Sequence, residues 1–356
     1  MDDEKTFDKL PVEMISHIFA FLKFEDRKVA SSVCWSWYNV SIQPRFLKNE
    51  IICLKDMKNE KMIDVLQIYA KSLRPLFAFR ISIIAKILDE AYYGARSINK
   101  NQWDWVYTVW SFIGAKVVYL EVFISVKCND GILPALLNVT KQLKVLKIHD
   151  LTLCSEEELY KVNRLESLEE LVLDKLEIHN IDKKKLLGII PKQLRKLCLN
   201  YMQNSNSIIE DLTDVFKQCS SHLVSLELIC IDVTLALMES IVSLNMKLKK
   251  FGLTLDYDQG PEVILPLFKT QWPLVDLQLR GECLTYEHLF AITNTFKDLE
   301  NLSVTGKSVS SFEVLVGIAG SSFDSLRKVT KSINSLKKLK SLCVGVERSG
   351  VYSPLY

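Results

Sequence analysis

The amino-acid sequence predicts an α/β fold in which a short group of three helices precedes a solenoid, with parallel strands on its concave face and helices on its convex face. Three observations lead to this prediction. A leucine-rich phrase returns at a nearly constant interval from about residue 110 onward, segments with helical spacing lie between its copies, and residues 10–46 show helical spacing without the phrase. One strand and one helix cannot bury their apolar sides alone, so such repeats stack on their neighbours.

The first element is a short helical segment, predicted over residues 8–48. Leu10-Pro11 suits a helix start, because proline fits the first helical position. One wide apolar helical face then carries Met14, Ile15, Ile18, Phe19 and Leu22. Asp26 can cap a second helix, and a third follows over CWSWYNVSIQPRF. A unit this small buries little, so part of its apolar surface is expected to meet a partner or the solenoid.

This segment resembles the F-box along its whole length. The matching positions are Leu10-Pro11, Glu13, Met14-Ile15, Ile18-Phe19, Leu22, Asp26, Val29, Val33-Cys34 and Trp37. The resemblance implies docking on the Skp adaptor, with adaptor-binding positions matched by Leu10, Pro11, Ile18, Leu22 and Trp37. It implies positions internal to the helices for Met14, Phe19, Val29 and Val33. The residues alone leave another interpretation open, a helical cap over the first repeat, since solenoid ends need covering.

The phrase that organises the rest of the chain is L-x-x-L-x-L. Its copies are LKVLKI from Leu143, LEELVL from Leu168, LRKLCL from Leu194, LVSLEL from Leu223, LKKFGL from Leu248, LVDLQL from Leu274, LENLSV from Leu299 and LKSLCV from Leu339. From Val122 to Val304, the last apolar positions are separated by 26, 25, 26, 29, 25, 26 and 25 residues. The last two apolar residues of each copy are two apart, so they point to one face of a short strand.

This pattern resembles the leucine-rich repeat family, in its long-period intracellular members, over most of residues 50–346. One departure concerns the asparagine or cysteine that the family places three residues after the last apolar position. Here that position holds Leu151, Leu176, Met202 and Ile231. We therefore expect no asparagine ladder to satisfy the backbone of these turns. The solenoid is predicted over residues 49–346, with a C-terminal tail at 347–356.

Helical signals lie between the phrases. Ser155–Glu158 and Ser207–Glu210 have the pattern of capping boxes, and Pro261 follows Gly260 where a first helical position is expected. One helical face is predicted to carry Ile208, Leu212, Val215, Phe216 and Cys219. Residues 85–112 are predicted to be an irregular segment. Its helical spacing indicates a buried stripe of Trp103, Val106, Tyr107 and Trp110.

Composition and charge exclude several classes of protein. The chain has 45 basic and 43 acidic residues, a net charge of +2, whereas nucleic-acid-binding proteins usually carry a clear basic excess. No apolar run approaches the ~18 residues that a membrane span requires. The nine cysteines are scattered without a Cys-x-x-Cys pair, which is typical of reduced thiols in the cytoplasm or nucleus. We therefore expect neither a nucleic acid nor a membrane as partner.

No catalytic motif is found in the sequence. The five histidines include no His-Glu-x-x-His and no pair at metal-ligand spacing. Gly306-Lys307-Ser308 is similar to the end of a phosphate-binding loop, but Asn301 stands where the first glycine is needed. Asp256 and Asp258 are predicted to lie at a repeat edge, where carboxylates face water. The chain is therefore predicted to be no enzyme and to bind no cofactor and no metal.

A protein substrate would most readily contact the concave face, to which the strand residues between the leucines point. The candidate substrate-binding residues are Lys147, His149, Glu170, Asp174, Lys196, Asn200, Glu227, Lys250, Asp276, Gln278 and Arg280. Both signs of charge occur among them. Arg280 is the one arginine of this set, whereas a site for phosphorylated motifs would be expected to cluster several.

The two resemblances together imply a substrate-recognition subunit of a cullin–RING (SCF-type) ubiquitin ligase, located in the cytoplasm or the nucleus. The helical segment would bind the Skp adaptor, and through it a cullin, while the repeats would bind a protein substrate. Catalysis would belong to the partners, which act on a substrate held nearby. Two alternatives stay open. One is an F-box protein that serves outside degradation, and the other is a leucine-rich-repeat scaffold or inhibitor whose helical segment is only a cap.

Overall fold

The structure, a computed structural model, describes the greater part of the chain. The described residues are 10–47, 50–54, 59–72, 77–83, 104–124, 132–150, 152–153, 162–178, 190–202, 209–229, 231, 233–255, 259–306, 327 and 330–345. The chain divides into two compact units. The first comprises residues 1–126 and 130–146, and the second comprises residues 127–129 and 147–356. The predicted tail at 347–356 lies outside the described residues.

The first unit begins with short helices that enclose a small core of their own. The helices are α1 (Val12–Phe21), α2 (Phe24–Ala30), α3 (Trp35–Ser41) and α4 (Pro44–Leu47). Helix α1 begins directly after Pro11, whose carbonyl accepts hydrogen bonds from the amides of Met14 and Ile15. The proline thus stands at the helix start, as predicted. The buried core consists of Ile15, Phe19, Val40 and Phe46.

Polar contacts hold these helices together. Ser16 Oγ donates a hydrogen bond to Gln43 Oε1 at 3.1 Å, which connects α1 to the turn before α4. Arg27 Nη1 donates to the carbonyl of Leu22 at 2.7 Å, and its guanidinium lies 5.5 Å from the centre of the Phe46 ring. Cation–π and charge-assisted contacts of this kind compensate for the small size of the core.

Where it is described, the remainder of the first unit contains parallel strands and helices. Strands β1 (Ile52–Leu54), β2 (Ala78–Ile83) and β3 (Tyr119–Ile124) pair in parallel in that order. The helices are Asn59–Lys71, Asp104–Thr108, Trp110–Ile113 and Ile132–Val139. Strand β4 (Val145–His149) begins in this unit and ends in the second.

The aromatic stripe predicted near residues 103–110 is buried where the structure describes it. Val106 and Trp110 are buried, which confirms the prediction for those two positions. Trp103 and the side chain of Tyr107 lie outside the described part of the chain. Trp105, which the periodicity did not single out, is also buried and packs edge to face against Trp110. Trp110 Nε1 donates to the carbonyl of Leu136 at 3.1 Å, so the stripe serves packing.

The second unit contains a series of parallel strands, one from each successive repeat. Its described strands run parallel in chain order and are β6 (Glu170–Ile178), β7 (Lys196–Met202), β8 (Ser225–Ile229), β9 (Lys250–Thr254), β10 (Asp276–Arg280), β11 (Asn301–Thr305) and β12 (Ser341–Gly345). A further short strand, β5 (Thr152–Leu153), pairs with β6. Equivalent residues of the predicted repeat stand opposite one another, namely Leu173, Leu199, Leu228, Leu253, Leu279, Val304 and Val344. This register confirms the predicted α/β repeat architecture.

The helices of the second unit follow the predicted signals in part. They are Ile209–Cys219, Leu235–Ser243, Tyr286–Thr295 and a 3-10 helix, Pro261–Lys269. The predicted apolar face is confirmed by the burial of Leu212, Val215, Phe216 and Cys219. Ile208, Ser207 and Ser155–Glu158 lie outside the described residues. None of the described helices has the length and apolar character that crossing a membrane requires.

Backbone hydrogen bonds satisfy the turns after the strands, in place of an asparagine ladder. The amide of Leu255 donates to the carbonyl of Arg280 at 2.7 Å, and the amide of Gly281 donates to the carbonyl of Thr305 at 2.9 Å. Gly306 stands at the same repeat position as Gly281. A Cβ atom on Gly306 would lie 2.8 Å from the Gly281 carbonyl oxygen, so this turn requires glycine.

Candidate functional site

The N-terminal helices carry a concentration of exposed apolar side chains. Among the described residues, fifteen large hydrophobic side chains are exposed, and eight of these lie between residues 12 and 35. The eight, termed the apolar surface below, are Val12, Met14, Ile18, Phe21, Phe24, Val29, Val33 and Trp35. Phe21 and Trp35 are 78% and 75% exposed. Single exposed hydrophobic residues are ordinary, but a group of them in so short a segment is typical of an interaction surface.

Helix α1 divides its apolar residues between two stripes. Ile15 and Phe19 are buried in the core, and Leu22 packs against it. Met14, Ile18 and Phe21 follow the same i, i+4, i+7 spacing one residue earlier and are exposed. The sequence predicted one wide face for Met14, Ile15, Ile18, Phe19 and Leu22, whereas only Ile15, Phe19 and Leu22 of these pack in the helical core.

The five predicted adaptor-binding residues fall into two groups. Pro11 and Ile18 are exposed. Leu10, Leu22 and Trp37 are half-buried and pack against the helical core. The ring of Trp37 meets that of Phe19 edge to face, with 5.6 Å between centroids. A substitution in the second group would therefore affect the fold of the helices as well as their surface.

Three residues expected inside the helices are in fact on the surface. Met14, Val29 and Val33 are exposed, so the expectation was wrong for them, while Phe19 is fully buried as expected. The physical reason is the small size of the core. Helix α2 buries none of its residues, and Val33 lies in the turn that follows it, so both valines remain largely exposed.

Four exposed residues were not singled out by the sequence analysis. They are Val12, Phe21, Phe24 and Trp35. A signal was present for Phe21, since it continues the stripe of Met14 and Ile18. Trp35 is the first residue of α3, and its ring meets that of Tyr38 edge to face at 5.4 Å.

The strands of the second unit present a second candidate surface. Residues that alternate with the buried leucines form its open face, which corresponds to the predicted concave face. Three rows of equivalent residues cross it, and the first begins with Glu170, Lys196, Ser225, Lys250 and Asp276. The third contains Asp174, Asn200, Ile229, Thr254, Arg280 and Thr305. The register thus brings the predicted substrate-binding residues to one face of this unit.

Most of the charged side chains on the open face neutralise one another. Lys196 Nζ lies 3.0 Å from Glu170 Oε2, and Lys147 Nζ lies 3.9 Å from Glu170 Oε1. A partner that used either lysine would have to compete with a carboxylate already in place. Replacing one carboxylate partner of a lysine by another contributes little to binding affinity.

A second ionic group lies on the neighbouring repeats. Lys250 Nζ is 2.9 Å from Glu227 Oε1 and 4.0 Å from Asp276 Oδ2. Burial lowers the pKa of Lys250, but its hydrogen bond to Glu227 and the nearby carboxylates outweigh burial, and the pKa stands above its usual value. Gln278 Nε2 donates to Asp276 Oδ1 at 3.2 Å. These four predicted site residues are therefore engaged with each other.

The thiol of Cys198, which lies among the charged residues of the open face, is not activated as a nucleophile. Burial, and then the negative charges of Glu227 and Asp174, raise the pKa of Cys198 to about 12. The nucleophilic thiolate is therefore scarce at neutral pH. His288, another candidate for chemistry, is held at a helix start, where Nδ1 accepts a hydrogen bond from the amide of Thr285 at 3.1 Å. Burial lowers the pKa of His288, and the residue acts as part of a capping box.

The first unit has a polar cluster that sequence reasoning missed. Arg80 Nε and the hydroxyl of Tyr119 each lie 2.7 Å from Glu121 Oε2, and Glu121 is buried. Burial and the hydrogen bond to Glu121 raise the pKa of Tyr119. The carboxylate is satisfied by two donors, which is what a buried charge requires. We therefore assign this cluster to the packing of strands β2 and β3.

No cluster of histidine, cysteine, aspartate and glutamate side chains in the described ranges could hold a metal ion. The residues Asp256, Asp258 and Lys307, considered in the sequence, lie outside those ranges. What the described side chains offer is two surfaces for other molecules, one apolar and one polar.

Comparison with known proteins adds a family for the N-terminal segment. Residues 7–51 match the F-box-like family. No curated protein sequence matches the chain. Among solved structures, the chain is similar to the leucine-rich repeat-containing protein LegL7 from Legionella pneumophila, with 16% sequence identity and a TM-score of 0.38, over 77% of this chain and 76% of that one. The repeat assignment rests on the strand register. The chain thus combines an F-box-like segment with a leucine-rich-repeat fold, as predicted.

Proposed function

We propose that the protein is a substrate-recognition subunit of a cullin–RING (SCF-type) ubiquitin ligase. The F-box-like segment docks on the Skp adaptor, which connects the chain to a cullin. The repeats hold a protein substrate for ubiquitination. The observation that carries this proposal is the apolar surface, which lies within the residues that match the F-box-like family.

The energetics of the helical segment support a docking role. Its core is complete without the exposed stripe of Met14, Ile18 and Phe21, so these side chains are available to a partner. Covering apolar surface yields about 25 cal/mol per Å². Phe21 and Trp35 are the most exposed members of the apolar surface, and large aromatic residues are frequent among the side chains that dominate binding energy.

The proposed role requires no catalytic group from this chain. A receptor that holds its substrate near a ubiquitin-loaded enzyme accelerates transfer by proximity, because an encounter between two molecules becomes a step within one assembly. The side chains described on the open face suit such a role, since they form a polar surface of mixed charge without an activated nucleophile.

A matched pair of variants tests adaptor binding. Ile18→Ser removes an exposed side chain of the apolar surface, and Ile68→Ser removes one from helix Asn59–Lys71 of the same unit. The wild type and Ile68→Ser are expected to bind purified Skp adaptor equally in calorimetry. Ile18→Ser is expected to bind at least about tenfold more weakly, which corresponds to about 1.4 kcal/mol. Because both residues are exposed, all three proteins should unfold at the same temperature.

Two outcomes would redirect the proposal. A folded wild type that does not bind the adaptor would leave the N-terminal helices as a cap, and the repeats as a protein-binding scaffold or inhibitor without a role in ubiquitination. Adaptor binding without proteasome-dependent turnover of any bound protein would indicate an F-box protein that serves outside degradation.

A further inference from the structure

One corner of the open face has donors that the fold does not use. Thr254, Arg280 and Thr305 stand opposite one another on β9, β10 and β11, with neighbouring strands about 4.8 Å apart. Among the described residues, none of these three side chains has a hydrogen-bond or ion-pair partner. The three residues are termed the Arg280 triplet below.

The triplet contrasts with the lysines of the same face. Lys196 and Lys250 each lie within 3.0 Å of a glutamate oxygen. An incoming anion would have to displace that glutamate, and the exchange of one carboxylate for another gains little. At Arg280 no carboxylate of the described residues has to leave. Charge complementarity therefore directs an anionic group to this corner.

The row beside the triplet has one long side chain, that of Gln278, between two small residues. Gly252 lies opposite Gln278, in the row next to Thr254 and Arg280, and has no side chain of its own, although Glu227 Cγ lies 3.1 Å from the position that a Cβ would take there. Ser303 continues that row on β11 with a short side chain. An extended segment can therefore approach the sheet at β11, beside Arg280 and Thr305, whereas Glu227 on β8 covers Gly252 on β9.

We propose that the Arg280 triplet binds the carboxylate of an aspartate or glutamate in an extended segment of the substrate. The guanidinium pairs with both carboxylate oxygens, a geometry that arginine favours, and the hydroxyl of the half-buried Thr305 donates to one of these oxygens, whereas Thr254 is buried beside Arg280. A single guanidinium matches the single charge of a carboxylate, whereas a phosphate group carries nearly two charges and usually meets several arginines. This inference rests on the proposed function, since it assigns a chemical class to the substrate.

Peptide selection tests the assignment with a defined probe. The probe is a set of random peptides, blocked at both ends, whose central residue is fixed as glutamate, glutamine or phosphoserine. The full-length wild type is expected to retain the glutamate set about fivefold to tenfold better than the glutamine set. Arg280→Gln should reduce this ratio to about one, and Thr305→Val should lower it in part, because one donor is lost.

The control variant is Lys250→Gln, which removes a cation that is already paired with Glu227. It should keep the preference for glutamate. An equal loss in Lys250→Gln and Arg280→Gln would show that general charge governs binding and would overturn the assignment. Absence of any preference in the wild type would overturn it as well. Stronger retention of the phosphoserine set than of the glutamate set would assign the site to a phosphate source instead.

The same preparations separate this inference from the proposed function. Ile18→Ser, expected to lose the adaptor, should keep the peptide preference because its substitution lies in the first unit. Adaptor binding without an acidic preference would overturn the inference and leave the proposed function in place. An acidic preference without adaptor binding by the wild type would do the reverse.

Discussion

His149 Nδ1 lies 2.8 Å from Asp174 Oδ2, and both side chains are buried. The other oxygen of the same carboxylate, Oδ1, accepts a hydrogen bond from Asn200 Nδ2 at 2.7 Å. One carboxylate therefore connects three strands. Three residues predicted to contact a substrate are therefore hydrogen-bonded to one another within the fold.

Loss of this carboxylate should destabilise the second unit. Asp174→Ala leaves the buried His149 and the half-buried Asn200 without their shared acceptor, and an unsatisfied buried group costs about 1–3 kcal/mol. We expect the free energy of unfolding to fall by about 2–3 kcal/mol, measured in urea at pH 7. Asn200→Ala removes only one of the two hydrogen bonds and should cost about half as much. Equal losses in the two variants would contradict a shared acceptor.

The ionic group around Lys250 predicts a dependence of stability on pH. The pKa of Lys250 in the folded chain stands above its usual 10.5, because contact with Glu227 outweighs burial. A raised pKa means that the folded state binds the proton more tightly, so the stabilisation is complete below about pH 10.5 and is lost as the pH rises through the folded value. The difference in unfolding free energy between wild type and Lys250→Met should therefore shrink above pH 10.5.

The size of this difference is modest because the pair is partly solvated. We expect about 0.5–1 kcal/mol at pH 7 from urea unfolding. Lys340→Met is the matched control, since Lys340 Nζ lies 2.7 Å from Glu300 Oε2 at an exposed position. It should change stability by less than Lys250→Met. A Lys250→Met protein as stable as the wild type at pH 7 would count against a contribution from this pair.

The repeat architecture could be predicted from the sequence because its signal is periodic. A spacing of 25 or 26 residues between Leu253, Leu279 and Val304 becomes a strand register in which these three residues stand opposite one another. Each repeat independently indicates the same strand positions, so a poor match in one repeat does not change the positions predicted for the others. The repeat period along the chain therefore determines which residues stand opposite one another on neighbouring strands.

The functional surfaces were harder to predict because they consist of the side chains that are left exposed or unpaired once the helices and strands have packed. Met14 and Ile15 are adjacent and both apolar, yet one is exposed and the other is fully buried. Only the positions of α3 and α4 decide which stripe of α1 packs. Likewise, Lys250 and Arg280 look alike as cations on one face, and only the positions of Glu227 and Asp276 show that the first is already paired.

A pair of glycines tests the turn that replaces the asparagine ladder. A Cβ atom at Gly306 would lie 2.8 Å from the Gly281 carbonyl oxygen and 2.9 Å from Leu284 Cβ, so Gly306→Ala must shift the backbone. We expect a loss of about 1–3 kcal/mol in urea unfolding. At Gly252 the nearest atom is Glu227 Cγ at 3.1 Å, on a side chain that can move. Gly252→Ala should therefore be nearly neutral, and an equal loss at both glycines would contradict the proposed difference.

Cysteine labelling provides a site-resolved test of the fold. Cys53 and Cys343 are exposed, whereas burial raises the pKa of Cys198 to about 12 and of Cys219 to about 11. The thiolate is the reactive species, so among the six cysteines that the structure describes, iodoacetamide at pH 8 should label Cys53 and Cys343 first. Cys198 and Cys219 should react only after urea unfolds the chain, as read by peptide mass spectrometry. Rapid labelling of Cys219 in the native protein would show that helix Ile209–Cys219 does not cover the strands as described, because this thiol is fully buried and lies 3.4 Å from the carbonyl oxygen of Pro191.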